Sequence, residues 1–229
     1  MTFKTKVSVV ITCYNLEDYV SRAISSCLNQ TLYEGLYEII VVDDCSTDNS
    51  WSMIQSASAI KNPNVICIRH DKNLGVAAAS NTGIKASTGD YIVRVDADDF
   101  INKNMLSTMK QILDFNSDFG FVYCDHMVVE QSQARRFRLN TVERLLDHGA
   151  GVMFRKECLQ TIGLYDESLR NREDYDLLLR YMKKFDGYHL RLPYYRYFKR
   201  EGSLSTMKQE RESLKQHLDK KHPTTLNRT

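Results

Sequence analysis

Three carboxylates fall within four residues at Asp96-Ala97-Asp98-Asp99, closing the β-rich run Tyr91-Ile92-Val93-Arg94-Val95. Acids this close repel one another unless a cation or water lies among them. In an extended chain Asp96 and Asp98 point the same way. Two oxygen donors at the open end of a strand suit a hard divalent ion, Mn2+ or Mg2+, whose other positions substrate phosphates fill. A polar turn ending a strand has the same composition, so spacing alone leaves metal site and turn level. A second acidic centre is Arg172-Glu173-Asp174-Tyr175-Asp176, ahead of Leu178, Tyr181, Met182 and Phe185 on one helical face. Acids in a first helical turn complement the macrodipole, which is a structural role in itself. The same field favours the charged carboxylate, and so keeps Asp174 ready as a base.

The elements that carry these groups alternate. Val7–Ile11 is a continuous apolar run apart from Ser8, the pattern of a strand buried on both faces, and Tyr37–Val42 reads as a second buried strand. Val20, Ile24, Cys27 and Leu28 recur at helical spacing, and Thr47 or Asp48 can cap a helix over Asn49–Ile60. Val65–Ile68, a small-residue helix over Gly75–Ala86, the strand Tyr91–Val95, a helix around Met105–Leu113 and a strand from Phe119 follow. Such β-α-β-α order predicts a parallel, doubly wound sheet with right-handed crossovers. Open α/β sheets bind ligands beyond the carboxyl ends of their strands. Three of those ends, Thr12-Cys13-Tyr14-Asn15, Asp43-Asp44 and Asp96-Ala97-Asp98-Asp99, therefore belong on one rim, which favours the metal over the turn. A nucleotide fits there: Tyr14 against a base, Asp44 accepting from a pyrimidine N–H, Asp96 on ribose hydroxyls, Asp98 on the metal. No G-x-x-x-x-G-K-[ST] occurs, and no G-x-G-x-x-G follows the first strand, so the metal must carry most of the diphosphate's charge.

The later chain is less regular. Gln131–Arg138 reads as a loop, Thr141–Leu146 as a helical turn or two, Val152–Phe154 as a short strand, and Tyr188–Phe198, interrupted by Pro193, as an edge strand. From Arg196 onward nine Lys/Arg face four Asp/Glu. Met207, Leu214 and Leu218 give a weakly amphipathic helix, read either as a solvated terminal helix or as a basic surface for peripheral contact with anionic lipid. The division expected is a main domain over 1–205 and a basic helix or tail over 206–229. With 229 residues and 42% hydrophobic content the chain can bury one sizeable core. A net charge of +2 excludes a broad nucleic-acid surface. Six singly scattered cysteines form no C-x-x-C pair, which argues against a zinc cage and for reduced thiols in a cytoplasmic protein. No signal-like or membrane-spanning run is readable, so the expected location is the cytoplasm, with any membrane contact peripheral at its inner face.

Taken in order, five stretches resemble family 2 glycosyltransferases of the GT-A fold, inverting enzymes that use nucleotide-sugars. They are Val7–Asn15, Glu38–Asp48, Asn73-Leu74-Gly75 through Asn81-Thr82-Gly83, Asp96–Asp99 and Glu173-Asp174. The resemblance covers roughly residues 6 to 205. It implies a mostly parallel central sheet flanked by helices. Thr12, Tyr14 and Asp44 would hold the base, Asp96 the ribose, and Asp98 with Asp96 the metal, Asp99 lying nearby. Asn15, Asn81 and Ala97 complete the implied nucleotide-sugar set. Asp174 would deprotonate the acceptor hydroxyl with Glu173 beside it. The implied partners are a nucleotide-sugar donor, most commonly a UDP-sugar in this family, and a glycan or lipid-linked acceptor. Three positions depart from the usual pattern. Thr12 stands where many members have Pro, Ser80 where an Arg is common, and Phe198 where a His often assists the metal or diphosphate. Lys199 or Arg200 could replace that positive charge. Two other readings stay open: a nucleotidyltransferase on a similar sheet, and a non-catalytic nucleotide-sugar-binding module.

Overall fold

The computed structural model describes residues 5–58, 64–130, 137–140, 145–147, 149–200 and 208–223. The chain begins β1 (Val7–Cys13), α1 (Val20–Leu28), β2 (Tyr37–Asp43), α2 (Ser50–Ser58), β3 (Val65–Arg69), α3 (Val76–Ala86) and β4 (Tyr91–Asp96). The four strands pair in parallel in the order β3-β2-β1-β4. Every residue of β1 and β2 is buried, so helices must cover both faces. Alternate side chains sort to opposite layers. Val7, Val9 and Ile11 pack with Val20, Ile24 and Ile54 from α1 and α2. On the other face Val10 packs with Ala77 and Ile84 of α3. Gly83 lies so close to the Val10 side chain that a methyl group would not fit, which is why α3 is built of small residues.

The sheet then changes character. β5 (Phe100–Ile101), α4 (Met105–Phe115), β6 (Phe119–Glu130), β7 (Phe137–Asn140), β8 (Val152–Arg155), α5 (Lys156–Ile162), α6 (Glu173–Met182), β9 (Asp186–Lys199) and α7 (Lys208–Lys221) follow. β8 inserts antiparallel between β4 and β6, and β9 runs parallel to β6. The expectation of a mostly parallel sheet thus holds for the first four strands, and the whole is mixed. Tyr188–Phe198 is not simply an edge: β9 pairs with β6 along its length, and β5 covers Tyr195 and Arg196. Pro193, which has no N–H to donate, falls opposite Asp125, where the ladder shifts register. The stretch expected as a loop to Arg138 ends in β7, paired with β6; residues 131–136 and 141–144 lie outside the described residues.

The amino ends of the strands form a floor. Glu38, opposite Ser8 in the ladder, accepts from Lys6 Nζ (2.8 Å), Ser8 Oγ (2.6 Å) and the Thr88 N–H (2.6 Å). Burial alone would raise its pKa. The hydrogen bonds from Lys6, Ser8 and Thr88 outweigh that and hold it at about 2. Among the described residues no helix is long and apolar enough to cross a membrane.

Candidate active site

The carboxyl ends of β1, β2 and β4 do meet on one rim: Thr12 is the ladder partner of Asp96, and Cys13 of Asp43. Tyr14 is exposed there. Asn15 takes a left-handed backbone (φ 52°), and its Oδ1 accepts from the Thr47 N–H (2.8 Å). Asp44 is buried. Its Oδ1 accepts from the Leu74 N–H (2.9 Å) and its Oδ2 from the Gly75 N–H (2.7 Å), while His70 Nδ1 lies 2.7 Å from Oδ1. The carboxylate therefore ties the end of β2 to the start of α3, where Gly75 (φ 95°) turns the chain into the helix. Most of its accepting capacity is spent on that tie.

After β4 the chain makes a tight turn, with the Asp99 N–H bonded to the Asp96 carbonyl (2.9 Å) and the Ala97 N–H to the Thr12 carbonyl (3.2 Å). The three acids then part company. Asp99 is buried and accepts from Tyr195 Oη (2.7 Å) and the Phe198 N–H (2.7 Å), clamping β9 to the rim. Asp98 is half-buried, with Arg200 Nε at 2.8 Å from Oδ2. Burial, then the neighbouring Asp96, push its pKa up against the opposing pull of Arg200. Asp96 Oδ1 is buried without a hydrogen-bond partner, and it lies at ion-pair distance, 3.3 Å, from Arg94 Nε. Arg22 braces the turn from beneath, donating to the Asp98 carbonyl (2.7 Å) from between the rings of Phe100 and Phe198. Phe198 is thus a wall for one arginine, and Arg200 two residues on carries the charge toward Asp98.

The second acidic centre starts α6. Arg172, its N-cap, is left-handed (φ 59°, ψ 20°). The fully buried Asp176 is structural: it holds Arg180 Nε (2.7 Å) and lies 3.1 Å from His222 Nε2 just after α7. Through this pair, and a Tyr175 Oη bond to Asp219 Oδ1 (2.5 Å), α7 packs on α6 with Leu218 buried. It is therefore not a fully solvated terminal helix. Glu173 is buried and accepts from Arg94 Nη1 (2.8 Å). Burial lifts its pKa, Arg94 pulls it down, and the neighbouring Asp174 adds to the rise. Asp174 is half-buried, its Oδ1 accepting from the Tyr175 N–H (2.8 Å). Gly149 presses against the Asp174 carboxylate, leaving no room for a Cβ.

Arg94 is where the two centres meet. It is flanked by Asp96 and Glu173, and its guanidinium stands over the Tyr165 ring (5.3 Å). Thr12, Tyr14, Asn15, Asp44, Asp96, Ala97 and Asp98 come together at the strand ends, and Glu173 and Asp174 join them through Arg94. Asn81 does not join. Its buried amide bonds the Tyr165 backbone N–H and C=O and stands 2.8 Å from Glu167 Oε1, which pins the loop before α6. Gly149, in a stretch whose glycines imply a turn or close backbone approach, makes such an approach to Asp174; Arg94, Arg22, Tyr195 and His70 were not among the expected site residues. Arg94 had left a signal: a guanidinium inside an otherwise apolar strand needs buried partners.

The donor set suits a hard cation. A buried carboxylate oxygen without a hydrogen bond stands beside a second carboxylate that Asp96 repels. Among the described residues no group of three or more His, Cys, Asp or Glu is placed to hold a metal ion by itself. Two carboxylates suit an ion whose other ligands come from substrate and water.

Residues 8–201 match the model of glycosyl transferase family 2. An uncharacterised glycosyltransferase of Rickettsia typhi is 30% identical over 198 residues, 80% of this chain and 60% of that protein. The UDP-Glc:alpha-D-GlcNAc-diphosphoundecaprenol beta-1,3-glucosyltransferase WfaP of Escherichia coli is 29% identical over 185 residues, covering 78% and 70%. The chain thus spans about 60–70% of the length of these relatives. S. aureus TarS 1-349, solved with UDP-GlcNAc, superposes with a TM-score of 0.76 at 23% identity over 88% of this chain and 61% of that one, which establishes the GT-A type of fold.

Proposed function

The chain belongs to glycosyl transferase family 2, and from that premise we propose that it transfers a sugar from a nucleotide-diphospho-sugar, a UDP-sugar, to a hydroxyl of a glycan or lipid-linked acceptor, with inversion. The observation that carries this reading is Arg94, which holds Asp96 on one side and Glu173 on the other. It joins a carboxylate pair suited to a cation-bound diphosphate to a carboxylate pair suited to a base.

In this reading Tyr14 and Thr12 take the base and Asp96 the ribose. Asp96 and Asp98 would hold a divalent ion, Mn2+ or Mg2+, whose charge would stabilise the departing nucleoside diphosphate without a proton. Arg200, already at Asp98, adds positive charge on the same side. Asp174 Oδ2 takes the proton of the acceptor hydroxyl as the anomeric carbon, oxocarbenium-like in the transition state, changes partner. Glu173 is held by Arg94 and fixes the start of α6. A hydroxyl on a lipid-linked acceptor, the kind named for WfaP, would bring the enzyme to a membrane surface.

The test is UDP release from UDP-glucose and UDP-N-acetylglucosamine with Mn2+, with and without chelator. Release that needs the ion and is lost in Asp174→Asn supports the proposal. Turnover of a nucleoside triphosphate to pyrophosphate would replace it with nucleotidyl transfer, and binding without turnover with a carrier role.

A further inference from the structure

The docking of α7 on α6 brings an arginine of each element to one place beside the proposed base. Arg211, in the first turns of α7, donates from Nη1 to Asn171 Oδ1 (3.2 Å). The same oxygen of this buried asparagine accepts the Arg172 N–H (2.9 Å). One amide oxygen, three residues before Asp174, thus holds the Arg211 guanidinium and the backbone of Arg172. Arg172 has a left-handed backbone, a conformation that costs a non-glycine residue roughly 1 kcal/mol or more and clusters at binding sites. Its guanidinium lies over the Tyr175 ring (5.5 Å), and its buried Nε has no hydrogen-bond partner. Among the described residues no carboxylate lies within ion-pair distance of Arg172 or Arg211; Asp174 and Glu212 act on Arg172 only from further off. Burial and then the charge of Arg211 both work against the charge on Arg172. A buried guanidinium Nε without a partner, one residue from the asparagine that holds a second guanidinium, is what a tetrahedral oxyanion completes.

We infer that Arg172 and Arg211 form an anion subsite that takes a phosphate or diphosphate group carried by the acceptor. This rests on the glycosyl-transfer reading and adds the acceptor's chemical class to it. The donor's diphosphate belongs with Asp96 and Asp98, on the other side of Arg94. An anion at Arg172 therefore arrives with the second substrate, close to the hydroxyl that Asp174 deprotonates. Two acceptor types share this chemistry, a lipid-linked diphosphate and a polyol phosphate.

The experiment is calorimetric titration of the full chain, saturated with UDP and Mg2+, with geranyl diphosphate and separately with glycerol 3-phosphate, each against a blank at the same Mg2+. The expected result is binding of at least one probe, weakened by salt and lowered tenfold or more in both Arg211→Gln and Arg172→Asn. Asparagine tolerates the left-handed backbone, and a melting curve checks that each variant is folded. If Arg172→Asn does not fold, Arg211→Gln decides alone. The preferred probe tells lipid diphosphate from polyol phosphate. Binding of neither probe by the wild-type chain, or equal binding by the folded variants, overturns the inference. The UDP titration that precedes it reports on the glycosyl-transfer reading independently.

Discussion

Glu38 and Asp98 are carboxylates at opposite ends of one sheet, and their surroundings differ in kind. Glu38, on the floor, has an ammonium, a hydroxyl and a backbone N–H directed at it, and its pKa is held at about 2. Asp98, on the rim, has one guanidinium, and burial and Asp96 push its pKa up. The floor balances its charge within the chain. The rim leaves a deficit of positive charge that the fold sustains through the cohesion of the parallel strands beneath it. The floor is balanced within the chain; the rim carries charge that, in the proposed reading, a bound cation would balance.

The sharpest test of this contrast is at the base. Asp174→Asn is expected to lower kcat by ~10²–10⁴-fold while leaving the Kd for UDP unchanged, read by UDP release and calorimetry. Next comes the floor. Glu38→Gln is expected to cost about 2 kcal/mol in denaturant unfolding, the scale of hydrogen bonds to a charged group, with little effect on kcat. Because the folded pKa lies below the unfolded one, the stabilisation from Glu38 is full above about pH 4.5 and drains away as pH falls toward 2; the variant should lack that acid limb. The rim should behave with the opposite sign. Asp98→Asn removes a strained charge and is expected to raise the metal-free melting temperature by about 2–4 °C, while the stabilisation that Mn2+ gives the wild type disappears. The gain belongs to neutral pH and fades in acid, where the carboxyl is protonated in both states. A fall in melting temperature instead would show that Arg200 alone balances Asp98. Smallest is Tyr175→Phe, expected to cost about 1 kcal/mol through the lost bond to Asp219.

The strands of the floor-to-rim sheet were legible because burial on both faces writes a largely apolar run, broken in β1 and β2 near their ends by Ser8, Thr12, Glu38 and Asp43. The gathering of the rim acids was legible because three carboxylates in four residues stand at the end of an apolar strand, although Asp99 turns out to clamp β9. What stayed hidden depends on distance along the chain. Arg94 and Glu173 are 79 positions apart, and Tyr195 and Asp99 are 96 apart. Neither pairing leaves a local period. Phe137–Asn140 is a strand only because β6 offers it an edge. Asn81 misled for the opposite reason: its neighbourhood fits the motif, but its side chain faces the Tyr165 loop.

Gly149 sets a scale for the whole site. Since a single added methyl group there would collide with the carboxylate of Asp174, this position acts as a stop against which the oxygen of the proposed base is registered. Substituting alanine would displace that oxygen without touching its chemistry, a built-in way to ask how much of the rate depends on placement to within a fraction of an ångström.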